Sequence, residues 1–221
     1  MSIPLHLPAP QIDLRQVYRY LGCGTAAPSP EVADLCQQLL PGFLSSLDCR
    51  GCYQEVALTV DGDSVLLEGL APIHSAALAK NLQGCSKALL FSATIGSGAD
   101  RQRMITQVRS PAQAVVLDAM GSAAIEALCN DLCNTWRASY APLQLRPRFS
   151  PGYGDLPLAL QQDLLRLLDS ARQAGISLTD GLMMLPHKSV SAIVGIGTGG
   201  CVAPEHDCSA CNKPNCIFRL T

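Results

Sequence analysis

Apolar residues along the chain recur at two spacings, and they divide it into helices and strands. Residues 1–11 carry three prolines and read as an extended arm. "IDLRQVYRYLGCG" then puts Leu14, Val17, Tyr18 and Leu21 on one face of a short helix, stopped by Gly22 and Gly24. "SPEVADLCQQLL" opens a second helix, with Ser29 as N-cap, Pro30 in the first turn and Glu31 near the positive end of the dipole. "YQEVALTV" and "SVLLEGL" flank "DGD", which is a hairpin pattern. "IHSAALAKNL" is helical from about Ser75, "KALLFSATIG" is an apolar run of strand length, and "SGADRQRMITQVR" is a helix. The longest helical period runs through "PAQAVVLDAMGSAAIEALCNDLCNTWRASY", on Leu117, Met120, Gly121, Ala124, Leu128, Leu132 and Trp136. Gly121 interrupts it at a cost of about 1 kcal/mol relative to alanine, which points to close packing there. "RPRFSPGYGDLP" is a loop by its Pro and Gly content. "LALQQDLLRLLDSARQA" is one more amphipathic helix, ended by Gly175, and "SVSAIVGIG" is a last strand. Helices and strands are mixed, a hairpin is present and βαβ alternation is weak. The pattern predicts an α+β fold, with helices on a largely antiparallel sheet.

Composition narrows the class. Hydrophobic residues are 48% and charged residues 15% of 221, enough for one large domain with a real core. Net charge is −2 with no basic run, which argues against nucleic acid as a partner. No unbroken apolar run reaches the length of a membrane span, and "MSIPLHLPAPQIDLRQ" has no charged and apolar signal regions. A cytoplasmic setting is expected, where thiols stay reduced or bind metal. The count of eleven cysteines is odd, so full internal pairing is excluded.

Four of those cysteines close the chain. Cys201, Cys208, Cys211 and Cys216 in "CVAPEHDCSACNKPNC" follow the spacing C-x6-C-x2-C-x4-C. Two thiolates two residues apart reach one metal from a tight turn, and two more complete a soft four-ligand set. An iron–sulfur cluster, a structural zinc site and a metal-free tail all remain open. His206 is a possible substitute ligand or a solvated loop residue. The expected division is 1–198 as the folded domain and 199–221 as a metal-binding C-terminal loop. Elsewhere, Cys49 and Cys52 in "DCRGC" are expected to be reduced surface thiols, and Cys129 and Cys133 small core fillers.

The loop "RPRFSPGYGDLP" concentrates Arg146, Arg148, Ser150, Pro151, Gly152, Tyr153 and Asp155. Arg148 offers a planar fork of donors suited to a carboxylate, and Gly152 lets backbone approach a ligand closely. Tyr153 is placed to stack on a ring. A surface loop with a solvated arginine is the plainer alternative. Glu126, mid-helix, is either a solvated residue or an acid for an amine or hydroxyls, if its face meets this loop. No P-loop, dinucleotide fingerprint, nucleophile elbow or zinc-protease motif occurs, and the four histidines are scattered.

"RFSPGYGDLP" followed by "GISLTDGLMMLPHKSVSAIVGIG" resembles the reactivation domain of cobalamin-dependent methionine synthase. Its R-x-x-P-G-Y-x-x-x-P, G-x-x-L-T and S-V-S stretches match at Arg148, Pro151, Gly152, Tyr153 and Pro157, at Gly175, Leu178 and Thr179, and at Ser189, Val190 and Ser191. The match is clear over about 112–197 and weak before it. The resemblance implies a curved, mainly antiparallel sheet with helices and an extended groove for S-adenosylmethionine. It implies Arg148 on the methionine carboxylate, backbone at Ser150 and Gly152 lining the groove beside Tyr153, and Glu126 and Asp13 as acidic contacts. It also implies a partner, a corrinoid-binding methyltransferase whose cobalamin has lapsed into the Co(II) state and is reduced and remethylated. These 221 residues carry none of that family's homocysteine, folate or corrinoid motifs, so a stand-alone accessory component is expected rather than a complete methionine synthase. The family's C-terminal segment, with its aromatic ligand contact, is replaced by the cysteine tail. That tail is expected to pass an electron from a low-potential donor to cobalt. A zinc-stabilised docking module without redox chemistry is the alternative, and a methyltransferase for another substrate is a third reading.

Overall fold

The computed structural model describes residues 1–23 and 26–198. Gly24, Thr25 and residues 199–221, with all four tail cysteines and His206, lie outside the described residues. The centre of the fold is β5 (Cys85–Thr94), flanked by β2 (Arg50–Asp61) and β9 (Ser189–Gly197). β3 (Ser64–Leu67) and β4 (Ile73–His74) extend the sheet beyond β2, and β6 (Gln144–Leu145) extends it beyond β9. The arm expected at the N-terminus contributes β1 (Ile3–His6), paired with the first half of β2. Every pairing in this seven-stranded sheet is antiparallel, as the α+β reading requires. A separate pair, β7 (Ser177–Leu178) and β8 (Met184–Leu185), is antiparallel too.

Both faces of the sheet are covered, which is why β5 is buried continuously from Ala88 to Thr94 rather than at alternate residues. On one face Leu89, Phe91 and Ala93 of β5 and Ala192, Val194 and Ile196 of β9 form a core with α5 (Pro111–Tyr140). Val17 of α1 (Leu14–Tyr20) and Cys36 and Phe43 of α2 (Pro30–Ser45) complete it. On the other face Ala88, Leu90 and Ile193 pack with α3 (Ala76–Leu82), α6 (Leu160–Leu167) and the residues around α7 (Ser170–Gln173). α4 (Ser97–Arg109) runs beside α5. By length and composition α5 is able to cross a membrane, but most of its apolar side chains are in the core.

Local chemistry accounts for most boundaries. Ser29 and Ser75 accept from the amides of Val32 and Leu78, satisfying donors at the starts of α2 and α3. α2 continues through Pro41, at the loss of one helical hydrogen bond, because Phe43 beyond it is fully buried. The helix expected over "LALQQDLLRLLDSARQA" is broken at Asp169, whose φ of 51° is left-handed, into α6 and α7. The stem of Lys188 crosses α5 at Gly121, where a Cβ would lie 2.9 Å from its Cε. This is the close packing that the interrupted helix signalled.

Cys49 and Cys52 are not surface thiols. They are 6% and 0% exposed and belong to the two opposite cores. Three residues apart in extended chain, they project to opposite faces, and the Cys52 sulfur lies 3.3 Å from Ser92 Oγ. Cys129 and Cys133 are core residues of α5, as expected.

Candidate functional site

Arg148 is aimed by an irregular edge. Beyond β6, the amide of Arg146 donates to Gly195 O at 2.8 Å, and Phe149 exchanges two 2.9 Å hydrogen bonds with Ile193. Three steps along this segment thus match two along β9, so the chain bulges between the pairs, with Pro147 inside the bulge. The two arginines diverge there. Arg146 donates to Gln83 O, at the end of α3. Arg148 turns to α5, where Nη2 donates to Glu126 Oε2 at 2.9 Å and to Asn130 Oδ1 at 3.0 Å. Its Nη1 is buried with no hydrogen-bond partner among the described residues. The guanidinium is also within electrostatic reach of Cys129 and Cys133. Burial pushes the Cys129 thiol up to about 12, so it is neutral and Glu126 is the acid that balances Arg148.

The loop after Arg148 is held tightly. Gly152 has a φ of +90° and donates to Leu156 O at 2.9 Å, while Tyr153 donates to Ser150 O at 3.0 Å. The ring of Tyr153, half exposed, meets Phe149 edge-on at 6.1 Å. Asp155 ties the loop to α3, accepting from Ser75 Oγ and from the amides of Ala76 at 2.8 Å and Ala77 at 3.2 Å.

The Ser75 hydroxyl, helped by those two amides, holds the Asp155 carboxyl below its ordinary range. A depressed carboxyl adds stability above its unfolded value of about 4 and loses it as pH falls through the folded value. Asp155→Asn should therefore be less stable than the parent near neutral pH, and the gap should close on acidification. Denaturant unfolding of both proteins between about pH 7 and about pH 3 checks this; a gap independent of pH would contradict it.

The polar face of α5 that meets Arg148 runs on toward the start of the helix. Asp118, Ser122, Glu126 and Asn130 follow one another at four-residue spacing and share one face. Lys188 Nζ reaches Asp118 Oδ1 at 3.0 Å and Ser122 Oγ at 2.9 Å, and Arg103 Nε is 3.8 Å from the same Oδ1. A cleft of about 360 Å³ opens here, lined by Tyr20, Arg103, Ala114, Asp118, Ala119 and Ser122 among others. Tyr20 lines this cleft, and burial, with the charge of Glu126 behind it, pushes its hydroxyl up from the ordinary tyrosine value. A larger cleft of about 670 Å³ beside Met104, Ile105 and His187 is not lined by any of these groups.

Of the residues singled out in the sequence, the structure brings together Glu126, Arg148 and the Ser150–Tyr153 turn. Asp13 caps the start of α1, accepts from the Arg15 amide at 2.9 Å and pairs with Arg15 Nη2 at 2.9 Å. Along α1 that is about 10 Å from Tyr20. Tyr20, Asn130, Asp118 and Lys188 escaped the sequence reading. Asn130, one turn beyond Glu126, was within reach of it; the others meet only through packing. Among the described residues no group of His, Cys, Asp or Glu is arranged to hold a metal.

Residues 121–199 match the family model described as vitamin B12 dependent methionine synthase, activation domain. That span contains Glu126, Asn130, the Arg148 loop and β9. Among solved structures the chain is similar to the crystal structure of the MetH reactivation domain bound to AdoHcy. The TM-score is 0.64 and the identity 14%, covering 88% of this chain and 78% of that one. At this identity the likeness is one of fold, and it extends over the N-terminal half, where motifs alone were weak. No curated protein matches the chain. The resemblance to the activation domain stands in both comparisons that match.

Proposed function

We propose that this chain, with the fold and motifs of a B12-dependent methionine synthase activation domain, binds S-adenosylmethionine along the Arg148 groove and reactivates a corrinoid methyltransferase of that kind. The unmatched Nη1 of Arg148 carries the reading. A buried donor on a fixed guanidinium calls for an acceptor, and a carboxylate is the acceptor its geometry suits. Glu126, with a side chain 45% exposed, supplies negative charge for the ammonium or sulfonium of the same ligand. The open turn at Gly152 lets backbone approach, and Tyr153 offers a ring face to a cation. Asp13 contributes by fixing α1, which carries Tyr20 at its other end.

In this reading the ligand supplies an electrophilic methyl group, and the protein holds it in place against the partner's corrinoid. Arg148 orients the carboxylate end; Glu126 and Tyr153 flank the cationic centre. The four tail cysteines would hold an iron–sulfur cluster that takes an electron from a low-potential donor and passes it to the partner's oxidised cobalt. Zinc, which has no redox chemistry, would serve only as a staple for a docking segment.

Calorimetric titration with S-adenosylhomocysteine tests the groove, and saturable one-to-one binding is expected; none would refute it. An absorbance spectrum with metal analysis of anaerobically purified protein tests the tail. Iron, sulfide and a broad thiolate–iron band are expected, and all should be lost in Cys208→Ser, Cys211→Ser. Zinc alone would remove the electron-carrying role.

A further inference from the structure

We infer that Cys85 is a ligand of the tail's metal centre, with Arg146 as the buried donor that positions its sulfur. This deepens the reading of the tail and rests on the tail binding a thiophilic metal, whether an iron–sulfur cluster or zinc.

A bulge aims the thiol. Residues two apart in a strand share a face, so a regular β5 would put Cys85 with Leu89, Phe91 and Ala93 on the α5 side. Instead Cys85 and Lys87 pair with the adjacent residues Gly197 and Ile196, and the strand bulges at Ser86. Cys85 therefore packs with the opposite core, beside α3. Two glycines of β9 make room for it there. A Cβ on Gly195 would lie 2.8 Å from its sulfur, and one on Gly197 3.2 Å.

Arg146 shares this spot, because its Cγ would lie 3.0 Å from the same Gly195 Cβ. The arginine is 8% exposed, and Nη2 donates to Gln83 O, two residues before Cys85. Its Nε is buried with no hydrogen-bond partner, and it forms no ion pair among the described residues. A buried cationic donor without a counter-charge calls for an anionic acceptor, and a metal-bound thiolate is one.

The tail begins here. Gly197, opposite Cys85, ends β9, and Cys201 follows four residues later, within about 14 Å of extended chain. The tail cysteines are thus tethered to a half-buried thiol at high effective concentration. Cys85 is already fixed by the sheet, so its use as a ligand adds little ordering cost. With Cys85 in one position, three of the four tail cysteines are enough to complete a four-thiolate set.

Substitutions in the full chain test this. Metal per chain after anaerobic purification should fall in Cys85→Ser as far as in Cys208→Ser. Arg146→Gln should lose metal to a competing chelator about tenfold more readily than the parent, with Arg146→Lys in between. Thermal unfolding shows which variants are folded. A second measurement needs no variant: in metal-stripped parent, diamide should couple Cys85 to a tail cysteine, seen by mass spectrometry as a cross-linked peptide. Full metal in a folded Cys85→Ser protein, or no cross-link to Cys85, would overturn the assignment and leave an all-tail centre standing. No metal in the parent would overturn both.

Discussion

Replacing Arg148 by alanine should abolish most of the affinity for S-adenosylhomocysteine, with a fall on the order of 100-fold. Truncating one partner of a desolvated charge pair costs about 2–5 kcal/mol, and 3 kcal/mol is a little over two decades in affinity. The guanidinium is mostly buried against α5, with Nη2 committed to Glu126 and Asn130 and Nη1 unmatched. Lysine cannot reproduce that fork, so Arg148→Lys should also lose most of the binding. The fold should survive, because Glu126 is partly exposed and can be hydrated once its partner is gone. Calorimetry for binding and thermal unfolding for stability separate the effects. Unchanged affinity in a folded Arg148→Ala protein would remove Arg148 from the site.

Phe91→Ala should be the most damaging of these changes to stability, at about 3–5 kcal/mol. Phe91 is 1% exposed at the centre of β5, and its ring meets Trp136 of α5 edge-on at 5.2 Å. Tyr53 of β2 packs on the same indole at 5.4 Å, so the cluster joins sheet and helix behind the site. A loss of this size is a large part of the roughly 5–15 kcal/mol that keeps a domain folded. Phe91→Leu, which retains most of the volume, should cost about 1 kcal/mol. Trp136 is the single tryptophan, so its fluorescence during urea unfolding reads both values directly. Equal stability of the alanine and leucine variants would mean that the aromatic cluster does not brace α5.

What was legible in the sequence follows from where each signal resides. β5 and α5 carry their burial in their own periodicity, and Ser29 and Ser75 announce the helix starts beside them. Arg148, Gly152 and Tyr153 fall in one short stretch, so a motif could display them together. Glu126 was ambiguous until the bulge between the Arg146 and Phe149 pairings turned Arg148 onto α5. Tyr20 and Lys188 are far from that stretch in the chain and come to this face of α5 through the packing of α1 and the crossing of Gly121. Their roles are tertiary, and no local pattern encodes them. The C-x2-C of Cys49 and Cys52 suggested surface thiols, but extended chain from Cys49 into the strand beginning at Arg50 places the two in opposite cores.

Transfer of a labelled methyl group tests the central claim most directly. The protein would be incubated anaerobically with methyl-labelled S-adenosylmethionine, a low-potential reductant and a corrinoid methyltransferase in its inactive cobalt(II) state. Label should move to the corrinoid at a rate proportional to the amount of this protein, and Arg148→Ala should suppress it. Label transfer that is the same with and without the protein would contradict a role in reactivation.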